Sequence, residues 1–188
     1  MDLSIELTDG VIRLRPFRME DAGPTFDAVC ESLNELKPWM SWAHDGYQQQ
    51  ETEDYIRITR ARWDENTLFA FAITDANSGE ILGGCGLGER HPVYHLSNLG
   101  YWVRASRHGQ GVAGRAAKLI ARFGFEQAGI IRAEIVMAVP NEKSRRVAEK
   151  IGAHYEGILL NRMVVGKIIH DAHMFSLLPS DFGLEARL

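Results

Sequence analysis

Residues 99–125 read as a strand, a glycine-bearing turn and a helix in immediate succession. Leu99 to Val103 carries the aromatic and β-branched side chains that suit a pleated strand. Ala113 to Phe125 is rich in strong helix formers, with Ala113, Ala116, Ala117, Ile120 and Ala121 on one face. Between them stand Gly109 and Gly111, which let another backbone or a ligand approach closely. A helix that opens on such a turn presents unpaired N–H groups and a partial positive charge, and this combination holds phosphate or pyrophosphate. A surface turn that simply needs glycine is the competing reading. No Lys-Ser or Lys-Thr follows Gly111, so the turn is not a Walker loop.

The elements on either side restrict the architecture. Val11 to Arg15 alternates apolar and basic residues as a half-buried strand does, and Pro16 ends it. Met19 to Leu33 reads as a helix, loose in its first turn and firm from Pro24. A helix over Thr52 to Asn66 follows. Strands over Leu68 to Thr74 and Glu80 to Gly88 flank a hairpin turn at Asp75 to Gly79. The run Gly83-Gly84-Cys85-Gly86-Leu87-Gly88 lies in the returning strand with no helix after it, so its glycines mark a bulge or a close backbone approach. Beyond a loop at Glu89 to Ser97 and the strand–turn–helix unit come a strand at Ile130 to Val139 and a helix at Arg145 to Ile151, capped by Gly152. Strands at His154 to Leu160, Met163 to Val165 and Lys167 to Leu177 close the chain, with turns at Asn161-Arg162 and Gly166, before a tail from Pro179. Three consecutive strands without intervening helices exclude a doubly wound parallel sheet. The expected class is α/β (α+β), a mixed and mostly antiparallel sheet flanked by helices.

Composition adds exclusions. A net charge of −4 over 188 residues supplies no field for nucleic acid or an acidic membrane. No apolar run approaches the ~20 residues of a membrane span. Met1-Asp2-Leu3-Ser4 lacks the basic start of a secretory signal, and two cysteines make no disulfide framework, so a cytoplasmic setting is expected. His91 and His95 are four apart, but Pro92 opposes a helix that would aim both at one ion, so no metal is expected. The segment Leu36 to Tyr47 places Trp39, Met40, Trp42 and Tyr47 in a stretch broken by Pro38 and Gly46. Such aromatic surface must be buried, either as a lid on the core or as a wall of a substrate pocket.

The turn Arg107-His108-Gly109-Gln110-Gly111-Val112-Ala113 resembles the acetyl-CoA signature of the GNAT superfamily, Gln/Arg-x-x-Gly-x-Gly/Ala. Gly111 and Ala113 take its last two positions, and His108 stands at its first. Further likeness lies in Arg13-Leu14-Arg15-Pro16-Phe17, Lys37-Pro38-Trp39, Leu99-Gly100-Tyr101-Trp102-Val103, and Asn141-Glu142-Lys143-Ser144 through Glu149-Lys150-Ile151-Gly152. The last block resembles the RimJ/RimL-type protein N-acetyltransferases. The likeness covers about Val11 to Leu178, so one N-acetyltransferase domain over residues 1–188 with its core at 11–178 is expected.

This resemblance implies a sheet splayed between the strands at Gly100 to Arg104 and Arg132 to Val139, with acetyl-CoA in the gap. Trp102, Val103 and Arg104 would pair with the pantetheine arm, and the amides of His108, Gly109, Gln110, Gly111, Val112, Ala113 and Gly114 would hold the pyrophosphate. The implied reaction is direct acetyl transfer to a primary amine, in the first place a peptide N-terminal α-amine. Small amines such as a polyamine, an amino acid or an antibiotic form the alternative, and a non-catalytic CoA-binding module is the reading from another class. The Val103 N–H would be the oxyanion donor. Ser144 would be the proton donor to the departing thiolate, or the N-cap of its helix, or both. Asn141 would bind the pantetheine arm or hold the loop. Met163 stands where some relatives carry a glutamate base, so Glu89 is the replacement candidate against the reading of a solvated turn carboxylate, with His91, His95 or water as further options. Cys85 has no evident partner base and reads as a buried strand thiol. Homodimerisation through exposed edges of the closing strands stays open.

Overall fold

Eight strands form a single sheet in the computed structural model, which describes residues 3–88 and 90–187. In chain order the elements are β1 (Leu7–Thr8), β2 (Ile12–Pro16), α1 (Ala22–Leu36), α2 (Gln49–Asp64), β3 (Phe69–Asp75), β4 (Ile81–Leu87), β5 (Leu96–Val103), α3 (Val112–Glu126), β6 (Arg132–Ala138), α4 (Glu142–Lys150), β7 (His154–Val165) and β8 (Ile168–Leu177). Short 3-10 turns stand at Met19–Asp21, Ala105–Arg107 and Pro179–Phe182. The spatial order is β1-β2-β3-β4-β5-β6-β8-β7. Neighbours are antiparallel except β5 and β6, which run parallel because α3 carries the chain across between them.

The β5–β6 contact decides where a ligand can enter. It consists of the pairs Leu96 with Arg132, Ser97 with Ala133 and Asn98 with Glu134, and then it stops. From Leu99 onward β5 pairs with β4 alone, while β6 beyond Glu134 pairs with β8 alone. The sheet therefore forks at Asn98, and the far ends of β5 and β6 diverge.

Burial follows the expected periodicities. Ala116, Ala117, Ile120, Ala121 and Phe123 of α3 lie against the sheet with Leu14, Phe71, Leu99 and Ile135 in one core. Trp63, Phe69, Phe71 and Phe123 form an aromatic cluster with ring centroids 4.8–6.2 Å apart. Burying each such side chain contributes about 1.5–3 kcal/mol. In β4, a Cβ on Gly83 would stand 2.1 Å from the Trp102 carbonyl oxygen, so the close backbone approach read from the glycines is real. The β3–β4 register also shifts there, between Ile73 and Thr74.

Several boundaries differ from expectation. β1 was not foreseen, since two residues carry no periodicity. α1 already begins at Ala22 and takes Gly23 and Pro24 into its first turn, where a missing N–H costs no hydrogen bond. α2 starts at Gln49, three residues before Thr52, because the Glu51 carboxylate accepts the Gln48 N–H at 2.9 Å and fixes the helix start there. The turn expected at Asn161-Arg162 is instead a bulge inside one continuous β7, with Asn161 at φ 51° and its N–H donated to Asp171 Oδ1 at 2.8 Å.

Candidate active site

The segment that leaves β5 is tied to α1 before it reaches the glycines. The Ala105 N–H donates to Ser32 Oγ at 2.9 Å, and the Ser106 N–H donates to Glu31 Oε1 at 2.7 Å. The Arg104 guanidinium bonds Glu31, Glu80 Oε1 at 2.9 Å and the Ile81 carbonyl at 3.2 Å. Those donors, Arg104 first and then Ser106, hold the Glu31 carboxyl down at about 2. Arg104 thus faces away from the fork, and its own N–H donates to the Leu82 carbonyl.

Gly109 and Gly111 both adopt left-handed backbone, φ 77° and 79°, and Gly111 is the N-cap of α3. The N–H groups of Gly109, Gln110, Gly111, Val112, Ala113 and Gly114 donate to no acceptor among the described residues; the first bond into the helix runs from Arg115 N–H to the Gly111 carbonyl at 3.1 Å. Successive unpaired amides around two left-handed residues make a concave anion nest. The His108 N–H is not part of it, because it donates to the Ala105 carbonyl at 3.1 Å. The Gln110 amide side chain donates to the Ser106 carbonyl and lies on the surface. Gly109, Gly111 and Gly114 have G-x-G-x-x-G spacing within a β5–α3–β6 crossover, the local device of dinucleotide sites, although the rest of the sheet is antiparallel.

Val103 lies at the open edge of the fork. Because the Arg104 N–H points to β4, the preceding residue turns its N–H and C=O the other way, into the gap. The His108 ring confirms this direction, since its Nε2–H donates to the Val103 carbonyl at 2.8 Å. The Val103 N–H remains directed at the gap.

Across the gap, α4 begins at Glu142 rather than at Arg145. Its N-cap is Asn141, whose Oδ1 accepts the Ser144 N–H at 3.1 Å. Ser144 is therefore not the N-cap, and its hydroxyl has no cap to make. Ser144 Oγ lies 3.0 Å from the Tyr101 hydroxyl, which also donates to the Ser144 carbonyl at 3.3 Å. Burial pushes the Tyr101 hydroxyl up to about 12.

These groups line one cavity of about 1420 Å³, together with Trp39, Met40, Trp102, His108, Gly109, Gly111, Val112, Ala113, Gly114 and Asn141. Its wall also carries seven Lys and Arg residues against four Asp and Glu. Lys118, Arg146 and Lys150 are the cations there without a carboxylate partner among the described residues. Nothing local in the sequence marks these cations or gives the Tyr101 hydroxyl a role; the cations sit on the outer faces of α3 and α4, where helical charge normally signals solvent.

Trp39 and Met40 also line a second cavity of about 380 Å³ with Lys37, Ala43, His44, Pro140 and, from the β7–β8 hairpin, Val165, Ile168 and His170. Trp42 and Tyr47 line neither. They form an aromatic brace behind the wall: Trp42 meets Trp102 at 6.1 Å, Tyr47 stacks on Phe26 at 6.2 Å, and the Tyr47 hydroxyl is 3.0 Å from Thr52 Oγ1. Glu89 lies outside the described residues. His91 closes its own loop, accepting the Tyr94 N–H on Nδ1 at 3.1 Å, while His95 sits at φ 49°; neither lines a cavity described here. Cys85 is buried, and burial pushes its thiol up. No group of three or more His, Cys, Asp or Glu suited to a metal ion occurs among the described residues.

The acetyltransferase (GNAT) domain family matches residues 12–154. The chain belongs to this family. The GNAT match takes in the fork between β5 and β6, the nest and Ser144. YdaF of Bacillus subtilis (strain 168) is 27% identical over 176 residues, which are 91% of this chain and 93% of YdaF. The ribosomal-protein-serine acetyltransferase of Escherichia coli (strain K12) is 20% identical over 154 residues, covering 81% and 84%. Among solved structures, Mycobacterium smegmatis RimJ in complex with CoA-disulfide is 25% identical, with a TM-score of 0.82 over 97% of this chain and 90% of that one. The protein is an acetyl-CoA-dependent N-acetyltransferase of the GNAT fold.

Proposed function

We propose that the protein acetylates the α-amine of a protein or peptide N-terminus, with the whole chain acting as one domain around a core at 11–178. The observation that carries the cofactor half of this reading is the run of six amides from Gly109 to Gly114, unpartnered among the described residues, beside a forked sheet edge. A diphosphate fits those donors, and Lys118, Arg146 and Lys150, without a carboxylate partner among the described residues, suit the further phosphate. The β5 edge is open to the pantetheine arm at Val103, as a sheet accepts an extended peptide, whereas the main-chain groups of Trp102, like those of Arg104, alternate toward β4. Asn141 holds the α4 entrance through Oδ1, and as a residue of the cavity lining it can also meet the pantetheine arm. Acetyl-CoA supplies the acyl group as a thioester.

The chain's own groups then have three tasks. The Val103 N–H donates to the carbonyl oxygen, a contribution of about 3 kcal/mol when the charge develops there. Ser144 Oγ donates toward the sulfur. The acceptor amine must be neutral to attack, and an α-amine with pKa near ~8 meets that requirement more readily than a lysine near ~10.4.

The acceptor half rests on the second cavity. It is open, it shares Trp39 and Met40 with the first, and no carboxylate among the described residues lines it. A polyamine carries several positive charges and needs carboxylates around it, so this lining opposes a polyamine and suits a peptide end with uncharged side chains. The name of the Escherichia coli relative, a ribosomal-protein-serine acetyltransferase, supports the same class. A protein acceptor of this kind and the two free cysteines, Cys30 and Cys85, fit the cytoplasm.

The test follows free thiol released from acetyl-CoA with four acceptors: a peptide with a free α-amine, an α-blocked peptide with an internal lysine, a polyamine and an aminoglycoside. Release with the first alone is expected. Release with the polyamine or the aminoglycoside alone overturns the acceptor class, and binding of acetyl-CoA without release in any arm makes the protein a binding module.

A further inference from the structure

We infer that Tyr101 is a positioning residue: its hydroxyl and that of Ser144 form a two-rotor donor that turns Ser144 Oγ–H onto the cofactor sulfur. The inference rests on the reading that Ser144 faces that sulfur. Both hydroxyls line the main cavity, one from β5 and one from α4, so the pair spans the fork. Tyr101 Oη has two acceptors on a single residue, Ser144 Oγ at 3.0 Å and the Ser144 carbonyl at 3.3 Å. One tyrosine proton can satisfy either.

Two arrangements follow. In one, Tyr101 donates to the carbonyl and Ser144 Oγ–H donates to Tyr101 Oη. In the other, Tyr101 donates to Ser144 Oγ, and the serine proton is free to point into the cavity. The exchange needs rotation about two C–O bonds, and no covalent bond is made or broken. Developing negative charge on sulfur favours the second arrangement. A hydroxyl that accepts a hydrogen bond also donates more strongly, so Tyr101 strengthens the contact as well as aiming it. Tyr101→Phe removes both the donor to Ser144 Oγ and the acceptor at Tyr101 Oη, so the serine proton loses the partner that strengthens and aims it. Since Asn141 caps α4 through the Ser144 N–H, these rotations leave the helix start untouched.

The test reads the protonation of bound CoA rather than turnover alone. The thiolate of CoA absorbs in the ultraviolet, so its titration in the complex can be followed directly. In the unmodified protein the bound thiol is expected to ionise at lower pH than free CoA. Tyr101→Phe is expected to move that titration part of the way back, Ser144→Ala the whole way, and Tyr101→Phe to change nothing further in a Ser144→Ala background. With a slow amine acceptor, Tyr101→Phe should lower kcat roughly fivefold to tenfold, the loss of one net hydrogen bond, while KM for acetyl-CoA stays within about twofold. A fluorotyrosine at position 101, a stronger donor of the same shape, should shift the titration the other way and shows the effect without loss of packing. An unchanged titration in Tyr101→Phe overturns the relay and leaves the Ser144 reading intact if Ser144→Ala still shifts it. An unchanged titration in Ser144→Ala removes both. Equal losses from Tyr101→Phe with and without the Ser144 hydroxyl reduce Tyr101 to a packing role.

Discussion

Val103 and His108 show how much one peptide unit can carry. Both polar groups of Val103 face the gap, so neither belongs to the β4–β5 ladder. Val103→Pro therefore removes the N–H without breaking a sheet hydrogen bond. It is expected to lower kcat about 100-fold, the effect of about 3 kcal/mol, with a far smaller change in melting temperature. His108 stands where the GNAT signature has Gln or Arg, and its ring makes a different use of the position: Nε2–H anchors the Val103 carbonyl from five residues away. His108→Leu leaves that carbonyl unanchored and should raise KM for acetyl-CoA roughly fivefold to tenfold, for one hydrogen bond of about 1 kcal/mol. His108→Gln, which keeps a donor, should recover part of the loss. Steady-state kinetics at saturating amine checks both.

Among elements, α1 works as a brace for the nucleotide loop rather than as mere cover for the sheet. Glu31 and Ser32 hold the backbone of residues 105 and 106, and Glu31 also holds Arg104. Arg104 and Ser106 keep the Glu31 carboxyl at about 2, below the ordinary value near ~4.3. A folded-state pKa below the unfolded one adds stability above the unfolded value, and the contribution disappears as pH falls through the folded value. Glu31→Gln should thus be less stable than the parent at neutral pH, with the difference shrinking between about pH 4.3 and about pH 2. Acid titration of the melting temperature checks this. The strand–turn–helix unit was legible in the sequence because its signals are local: aromatic strand residues, glycine at the turn, alanine along one helix face. The brace was not, since Glu31 and Ser106 are 75 positions apart and nothing local marks either. Ser144 was half legible for the same reason. Its place near a helix start could be read, but Asn141 took the cap, and the hydroxyl's partner, Tyr101, lies 43 positions upstream. In β7 the turn-forming look of Asn161 was correct as backbone chemistry, yet cross-strand pairing with β8 continued past it.

For the whole molecule, charge is distributed against its own total. The chain is net −4, whereas the cavity wall has three more Lys and Arg than Asp and Glu. A polyanionic cofactor is thus drawn to one face of an acidic protein. KM for acetyl-CoA should rise steadily with salt as the Debye length contracts from ~10 Å at 0.1 M toward ~3 Å at 1 M, and Lys118→Ala or Arg146→Ala should flatten that dependence. The fork carries a different consequence. Three residue pairs join two half-sheets, β1 to β5 and β6 to β8, and Val103 stands five residues beyond the last of them, about 16 Å along the strand. Whatever occupies that wedge stands in for a missing strand and stitches the halves together. Cofactor at a hundred times its Kd should therefore add about 2.7 kcal/mol against unfolding, and amide exchange should slow on both sides of the seam at once, in β6 as well as β5.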